Sequence, residues 1–266
     1  MIDPRAVIDP GARIGEDVHI GPFTVIGPDV EIGRGTRIGP HVVIREGTRL
    51  GEDCQIFQFA SLGEAPQDLS YAGEPTRLEI GDRNIIREFV TLSRGTPKGG
   101  GCTRVGSDNL IMAYVHIAHD CRVGSHGVFS NAASLAGHCQ VGDRVVLGGF
   151  TLVHQFCRIG DQAFTSMGTA LNRDLPPYCL ASGNYARAVG INKVGLRRRG
   201  ASPELVSALH RAFKHLVRGR DREGGLAAVA PLAQAHPEVA AFVAFIRESQ
   251  EKHRGIVRTA PRRGEG

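Results

Sequence analysis

The chain is predicted to fold as an all-β parallel β-helix, a solenoid of six-residue repeats, followed by a small α-helical domain. Three observations carry that expectation. An aliphatic residue recurs every six positions from Ile2 through Ile8, Ile14, Ile20, Ile26, Ile32, Ile38, Ile44, Leu50 and Ile56 to Leu62. The rhythm returns at Ile80, Ile86 and Leu92 and then, one step out of phase, runs from Val105 through Ile111 and Ile117 to Ile159. Past residue 200 it gives way to apolar spacings of three and four. A fixed short period marks a stacked, quasi-one-dimensional fold in which sequence separation converts into distance.

A period of six is not helical, because an amphipathic helix recurs at three and four. It fits a short strand plus a tight turn, with one aliphatic side chain pointing inward per unit. Gly15, Gly21, Gly27, Gly33, Gly39 and Gly51 directly follow the aliphatic residue, and Pro22, Pro28, Pro40, Glu16 or Glu52 comes next. These residue types suit turns. The fourth residue after each aliphatic is small, as in Ala12, Val18, Thr24, Val30, Thr36 and Cys54, so it too is assigned to the interior. Three units close a triangular coil of eighteen residues. Successive coils then stack as parallel strands roughly 4.8 Å apart.

Two segments interrupt the rhythm, 64–77 and 94–103, the second reading R-G-T-P-K-G-G-G-C-T. Both are predicted to be external loops, which in repeat proteins often line a binding face. The β-helix is assigned to 1–190 and the helical domain to 191–266. The repeat fades after Leu171, Pro176–Pro177 ends it, and Asn184–Gly200 reads as a connector. Ser202-Pro203-Glu204 then starts a helix, with Ser as N-cap and Pro in the first turn. Its apolar stripe is Leu205, Leu209, Ala212, Phe213, Leu216 and Val217. A second helix is predicted over 223–235 and a third from Pro237, carrying Val239, Phe242, Phe245 and Ile246. Gly255–Gly266 is predicted to fray.

The first repeat unit starts at Met1, with no basic-then-apolar leader and no apolar run near eighteen residues. A cytoplasmic protein without a membrane span is expected. Of the net charge of +5, residues from Asn192 onward hold fifteen Lys/Arg against seven Asp/Glu, or +8, leaving −3 for the rest. A basic end suits phosphates or an acidic protein; no nucleic-acid motif accompanies it. Cys121, Cys139 and Cys157 lie one coil apart and Cys54 fills the same inward slot. They read as buried small hydrophobes, and no C-x-x-C pair is present.

Four of the eleven histidines have informative spacing. His116 and His119 lie in A-Y-V-H-I-A-H-D, His138 in L-A-G-H and His154 in V-H-Q-F. One coil beyond 119 is Gly137, and one coil beyond that is Gln155. The repeat therefore gathers His119, Gly137, His138, His154 and Gln155 along one edge. Histidine titrates near neutral pH and suits general acid–base work. Asp120 is placed to orient His119, and Gly137 leaves a backbone N–H open as an oxyanion donor. Three imidazoles also suit zinc, but the spacings of three and nineteen differ from the histidine sets of carbonic anhydrases on β-helices, and no metal or other cofactor is expected.

With these residues in view, the chain resembles the UDP-N-acetylglucosamine O-acyltransferase family of lipid A biosynthesis. The resemblance runs over nearly the whole chain and is carried by Q-F-A-S-L-G-E-A-P-Q-D-L, Y-A-G-E-P-T-R, R-G-T, G-S-D-N-L-I-M, H-I-A-H-D-C, L-A-G-H, V-H-Q-F, D-L-P-P-Y, A-S-G-N and G-L-R-R-R-G. It implies left-handed coils, an exception to the usual crossover hand. It implies a homotrimer with sites between neighbouring β-helices. The implied reaction moves an (R)-3-hydroxyacyl chain from acyl carrier protein to the sugar 3-hydroxyl of UDP-N-acetylglucosamine, with no covalent intermediate. The general base falls on His119 with Asp120 beside it, and the oxyanion donor on Gly137. Substrate contacts fall on Gln67, Asp68, His116, His138, His154, Gln155, Asn192, Arg198 and Arg199.

Three positions depart from the family pattern: Ser70 stands where many members carry lysine, Tyr185 where they carry histidine, and Val194 where they carry glutamate. These leave open whether the acceptor is the ordinary sugar or its 3-amino analogue. Met167 falls at the family's acyl-chain ruler, where glycine admits a longer chain. A methionine there predicts a shorter one, about ten carbons. Rival readings are an N-acyltransferase of the same fold, whose relatives carry an extra N-terminal domain, an acetyl-CoA-dependent sugar acetyltransferase, a non-catalytic β-helix and a zinc enzyme.

Overall fold

The computed structural model describes residues 1–219, 221–252 and 254–259. Its strands, mostly two residues long, form three sheets of nine, eight and ten strands in which each strand pairs with the third one on, except for the last two strands of the ten-stranded sheet. Val7 pairs with Val25, Val25 with Val43 and Val43 with Ser61, a step of eighteen residues. The step lengthens to thirty across the first loop, where Leu62 meets Leu92, and to twenty-five across the second, where Leu92 meets Ile117. The first insertion is thus twelve residues, two whole repeats, and preserves the phase. The second is seven, which accounts for the one-step shift at Val105.

Beyond the first coil the inward positions are buried, as Ile26 with Val30 and Ile44 with Val42 illustrate. Burying such an aliphatic side chain contributes about 1.5–3 kcal/mol. Two interior threonines are satisfied by the next coil: Thr24 Oγ1 donates to the Gly39 carbonyl at 2.8 Å and Thr36 Oγ1 to that of Gly51 at 2.9 Å. Ile2 and Met1, at the open first end, remain exposed.

The turn chemistry differs from a simple glycine turn. Gly33 has no unusual φ; a Cβ there would stand 2.5 Å from the backbone of Gly51 in the next coil, so coil-to-coil approach selects the glycine. The left-handed conformation falls two residues later, on Asp17, Phe23, Asp29 and their successors, nineteen non-glycine residues among those described. Between them lies a residue whose amide the backbone ladder does not use. Pro22, Pro28 and Pro40 fit there because proline has no N–H to lose, and elsewhere a side chain caps it, as Ser125 Oγ accepts from Ser107 N at 3.0 Å.

Register assigns the turns to three edges. The turns following the nine-stranded sheet carry both loops and then, in successive coils, Asp120, His138 and Phe156. Those following the eight-stranded sheet carry Asp108, His126, Arg144 and Gln162. Those following the ten-stranded sheet carry an exposed aromatic ladder, Phe23, His41, Phe59, Phe89 and Tyr114, with ring centroids 4.9–5.3 Å apart.

The far end is closed by later structure. Beyond Pro176–Pro177 the strand Cys179–Ser182 adds to Phe164–Thr165, so the repeat outlasts the prolines. The segment read as a connector, Asn184–Gly200, holds a strand, Arg187–Ile191, antiparallel to Cys179–Ser182, and a short helix α1 (Lys193–Arg198). Ser202 caps α2 (Pro203–Phe213) by accepting from Leu205 N at 3.2 Å, and Leu209, Ala212 and Phe213 are buried as the stripe requires. A π-helical turn, Lys214–Arg218, extends it, and α3 (Arg222–Ala235) and α4 (Pro237–Lys252) follow. Gly255–Val257 does not fray: Ile256 bridges Asp174 and both Ile256 and Val257 are buried. Residues 260–266 of the predicted frayed end lie outside the described residues. Among the described residues no helix is long and apolar enough to cross a membrane.

Candidate active site

The strand His116–Ile117 ends in a turn that presents His119 and holds Asp120 at a φ of 61°. Asp120 N donates to Thr103 Oγ1 at 2.8 Å, which anchors that conformation. His119 Nδ1 lies 2.8 Å from Asp120 Oδ2. A carboxylate can only accept, so Nδ1 carries the proton, and in the neutral imidazole the lone pair is on Nε2. One coil on, Gly137 packs on the imidazole: a Cβ at 137 would stand 2.6 Å from Cε1 and 2.8 Å from Nε2. The Gly137 amide occupies the turn position that the ladder leaves free, and it has no acceptor among the described residues. An imidazole and a glycine with an uncommitted N–H therefore stand side by side.

His138 meets His119 edge-on at 5.1 Å between centroids, and its Nε2 is 3.7 Å from Asp120 Oδ2. Phe156 stacks on His138 at 4.6 Å. Phe156 lies one coil beyond His138 and was findable by the same register rule. His116 shares Thr91 Oγ1 at 2.7 Å through Nδ1. Burial pushes its pKa below the ordinary histidine value and the charge of His119 adds to this, while Thr91 opposes. His154 and Gln155 continue the edge, exposed, with His154 Nδ1 3.1 Å from the Gln155 carbonyl.

The first loop brings Asp68 into the electrostatic field of His119. Asp68 Oδ1 accepts from Ser70 N at 2.8 Å and Ser70 Oγ at 2.9 Å. Those two bonds hold the carboxyl below the usual carboxylate range, with His119 and Lys98 contributing less. Gln67 beside it is exposed. From the second loop, Lys98 Nζ reaches Ser70 Oγ at 2.9 Å. Thr96, also from that loop, donates to both Asp120 oxygens, from its amide to Oδ1 at 2.8 Å and from its hydroxyl to Oδ2 at 2.6 Å. Residues in irregular loops obey no register, so nothing in the repeat pointed to Thr96 or Lys98; Thr103, by contrast, lies in the strand Cys102–Val105 one coil before Cys121 and was within reach of the register.

The other sequence candidates stand elsewhere on the single chain. Asn192 caps α1 by accepting from Gly195 N at 3.0 Å and donates to the Gln162 carbonyl at 3.1 Å. Arg199 reaches the Arg144 carbonyl at 3.3 Å, and Arg198 is exposed next to it. These contacts belong to the edge of Arg144 and Gln162, not that of His119. Met167 lies on the third edge, 80% exposed. His119, Asp120 and His138 are the one group among the described residues spaced for a metal ion, with ligand atoms within 4.8 Å. Both oxygens of Asp120 already accept hydrogen bonds.

With this geometry in hand, the chain was compared with known proteins. Residues 174–257 match the family model described as Udp N-acetylglucosamine O-acyltransferase, Domain 2, and residues 1–28 and 11–46 match the bacterial transferase hexapeptide model. The acyl-[acyl-carrier-protein]–UDP-N-acetylglucosamine O-acyltransferase of Alkalilimnicola ehrlichii is 55% identical over 97% of this chain and 99% of its own length. LpxA from Acinetobacter baumannii superposes with a TM-score of 0.92 at 43% identity, covering 97% of this chain and 99% of the other. LpxA from Bacteroides fragilis, a UDP-N-acetylglucosamine acyltransferase, gives 0.93 at 40% identity over 97% and 100%. The fold these chains share is the left-handed parallel β-helix with a helical C-terminal region.

Proposed function

Since the chain belongs to the acyl-[acyl-carrier-protein]–UDP-N-acetylglucosamine O-acyltransferases, we propose that His119 is the general base that moves an (R)-3-hydroxyacyl group onto the sugar 3-hydroxyl in the first step of lipid A biosynthesis. The observation that carries this reading is the placement of His119 between the Asp120 carboxylate and Gly137, whose amide has no acceptor among the described residues. An alcohol with a pKa of about 16 must lose its proton as it attacks. Nε2 takes that proton while Asp120 holds Nδ1–H and steadies the imidazolium that forms. The alkoxide oxygen bonds to the thioester carbon, and the developing oxyanion meets Gly137 N–H. Collapse breaks the carbon–sulfur bond, and the imidazolium returns the proton to the departing thiolate. The base contributes about 10²–10⁴-fold and an oxyanion donor about 10²–10³-fold. The thioester is already activated, so no enzyme nucleophile is required.

Asp68, Gln67, His116, His138, His154 and Gln155 flank the reacting groups in this scheme. Asn192, Arg198 and Arg199 take the nucleotide and its phosphates from a second copy in a cytoplasmic homotrimer. The separation of these residues from His119 within one chain supports a site completed between copies. Acyl carrier protein delivers the donor, and Met167 limits it to about ten carbons.

Product mass spectrometry tests the whole reading: the protein is mixed with UDP-N-acetylglucosamine and hydroxyacyl carrier proteins of several lengths, alongside His119→Ala. Acylated sugar nucleotide from the wild type and loss of at least a hundredfold in the variant is expected. A variant that keeps its rate excludes His119 as base. Faster turnover of the 3-amino acceptor or of acetyl-CoA reassigns the substrate.

A further inference from the structure

The second loop has no part in the mechanism above, yet it grips the carboxylate on which His119 depends. Thr96 is 2% exposed and supplies two of the three hydrogen bonds that Asp120 accepts, its hydroxyl sharing Oδ2 with His119 Nδ1. The loop is itself well fastened. Thr96 Oγ1 caps the turn Pro97–Gly99, accepting from Gly99 N at 3.3 Å. Arg94 donates to the Gly63 carbonyl at 3.0 Å and to Tyr71 Oη at 3.1 Å, both near or within the first loop, and pairs with Glu46 at 2.9 Å.

We propose that Thr96 is a positioning residue for the reaction: its hydroxyl fixes the Asp120 carboxylate and sets how strongly that carboxylate holds the proton on His119. The inference rests on His119 being the general base. A hydrogen bond donated to a carboxylate stabilises its charge and weakens its pull on other partners. Without the Thr96 hydroxyl, Oδ2 is left to His119. The imidazolium is then better stabilised, and the free base appears only at higher pH. The other titratable groups facing His119 are Asp68 from the first loop, His116 from the preceding strand and His138 from the next coil. None of them shares a hydrogen bond with Thr96, and Lys98 acts on Asp68.

Thr96→Val removes the hydroxyl at nearly constant shape and keeps the amide bond to Oδ1. The test measures kcat/KM from pH 5 to 9 for the full-length wild type, Thr96→Val, Thr96→Ser and His119→Ala, with Tm for each. The acid limb of Thr96→Val is expected about half a unit higher, which below the limb is a loss of about threefold. Thr96→Ser is expected to return the limb to its wild-type position. Should Thr96→Val not fold, Thr96→Cys, a weaker donor, is read in the same way. A limb that stays in place, whatever happens to Tm or the plateau rate, overturns the inference and leaves Thr96 as a turn cap. So does a shift that Thr96→Ser fails to reverse. An active His119→Ala overturns the general-base reading itself, whereas an inactive one beside an unmoved Thr96→Val limb overturns only the role of Thr96.

Discussion

Gly137 lies against the His119 imidazole so closely that a single methyl group at 137 would come within 2.6 Å of Cε1 and 2.8 Å of Nε2. Real Cβ atoms do not approach that near, so Gly137→Ala must displace the ring from Asp120 or push the coils apart. The backbone at 137 is not in the left-handed region, and the cost is one of contact rather than of conformation. Gly137→Ala is predicted to lower kcat by about a hundredfold, with Tm within a few degrees of wild type. A kcat within threefold of wild type would show that the imidazole does not need its observed place.

All six cysteines are buried and free. Burial raises the Cys54 and Cys102 thiols to about 11 and the Cys157 thiol to about 12. The thiolate, not the thiol, is the nucleophile, so at pH 8 these three offer almost none, and burial keeps a reagent from all six. An aromatic disulfide reagent at pH 8 is predicted to label no cysteine over minutes in buffer and all six in denaturant. Rapid labelling of the native protein would mean that the inward slot of the coils is not closed.

How much of this could be read in advance divides along the register. Ile117, Leu135 and Val153 fix three rungs, and counting from them places His119 against Gly137 and His138 beneath Phe156. The phase shift at Val105 fixes the second insertion at one residue more than a whole number of repeats, and the register gives it as seven beyond a full coil. What lay beyond reach was anything held by irregular backbone. Thr96 meets Asp120 across twenty-four residues of sequence through a loop with no period, and Lys98 meets Ser70 from one loop to another. Pro176–Pro177 misled for a related reason. Proline reads as an ending, but Pro177 falls in a turn whose amide the ladder does not need, and the strand Cys179–Ser182 simply continues the stack. The ion-pairing surface from Asn192 onward was legible as charge but not as place: only the contacts of Asn192 with Gln162 and of Arg199 with Arg144 assign it to a different edge from His119.

Those basic residues lead to a prediction about salt. Lys193, Arg197, Arg198 and Arg199 are exposed on one short helix and its cap, and such a basic surface suits an acidic carrier protein as well as phosphates. Exposed charges more than about 8–10 Å apart are screened at physiological ionic strength. With the carrier protein held below saturation, raising salt from low to about 0.5 M is predicted to lower the rate several-fold through kcat/KM, with kcat little changed. Lys193→Ala combined with Arg197→Ala should flatten that dependence. A rate indifferent to salt would remove electrostatic capture from the scheme.

Met167 stands 80% exposed at the unused-amide position of its turn, after Phe164–Thr165. It fills no gap between coils, since its side chain has left the interior altogether. An unbranched, flexible thioether at such a place is suited to close a groove that a second copy completes. Removing it should open room rather than collapse a core. Met167→Gly is therefore predicted to leave Tm nearly unchanged. It should also move the acyl preference toward donors a few methylenes longer, with a selectivity change of tenfold or more between ten- and fourteen-carbon chains. Met167→Ala should fall between the two. Competition between carrier proteins charged with different chains, read by product mass, measures the profile directly. An unchanged profile in both variants would place the limit on chain length at some other residue.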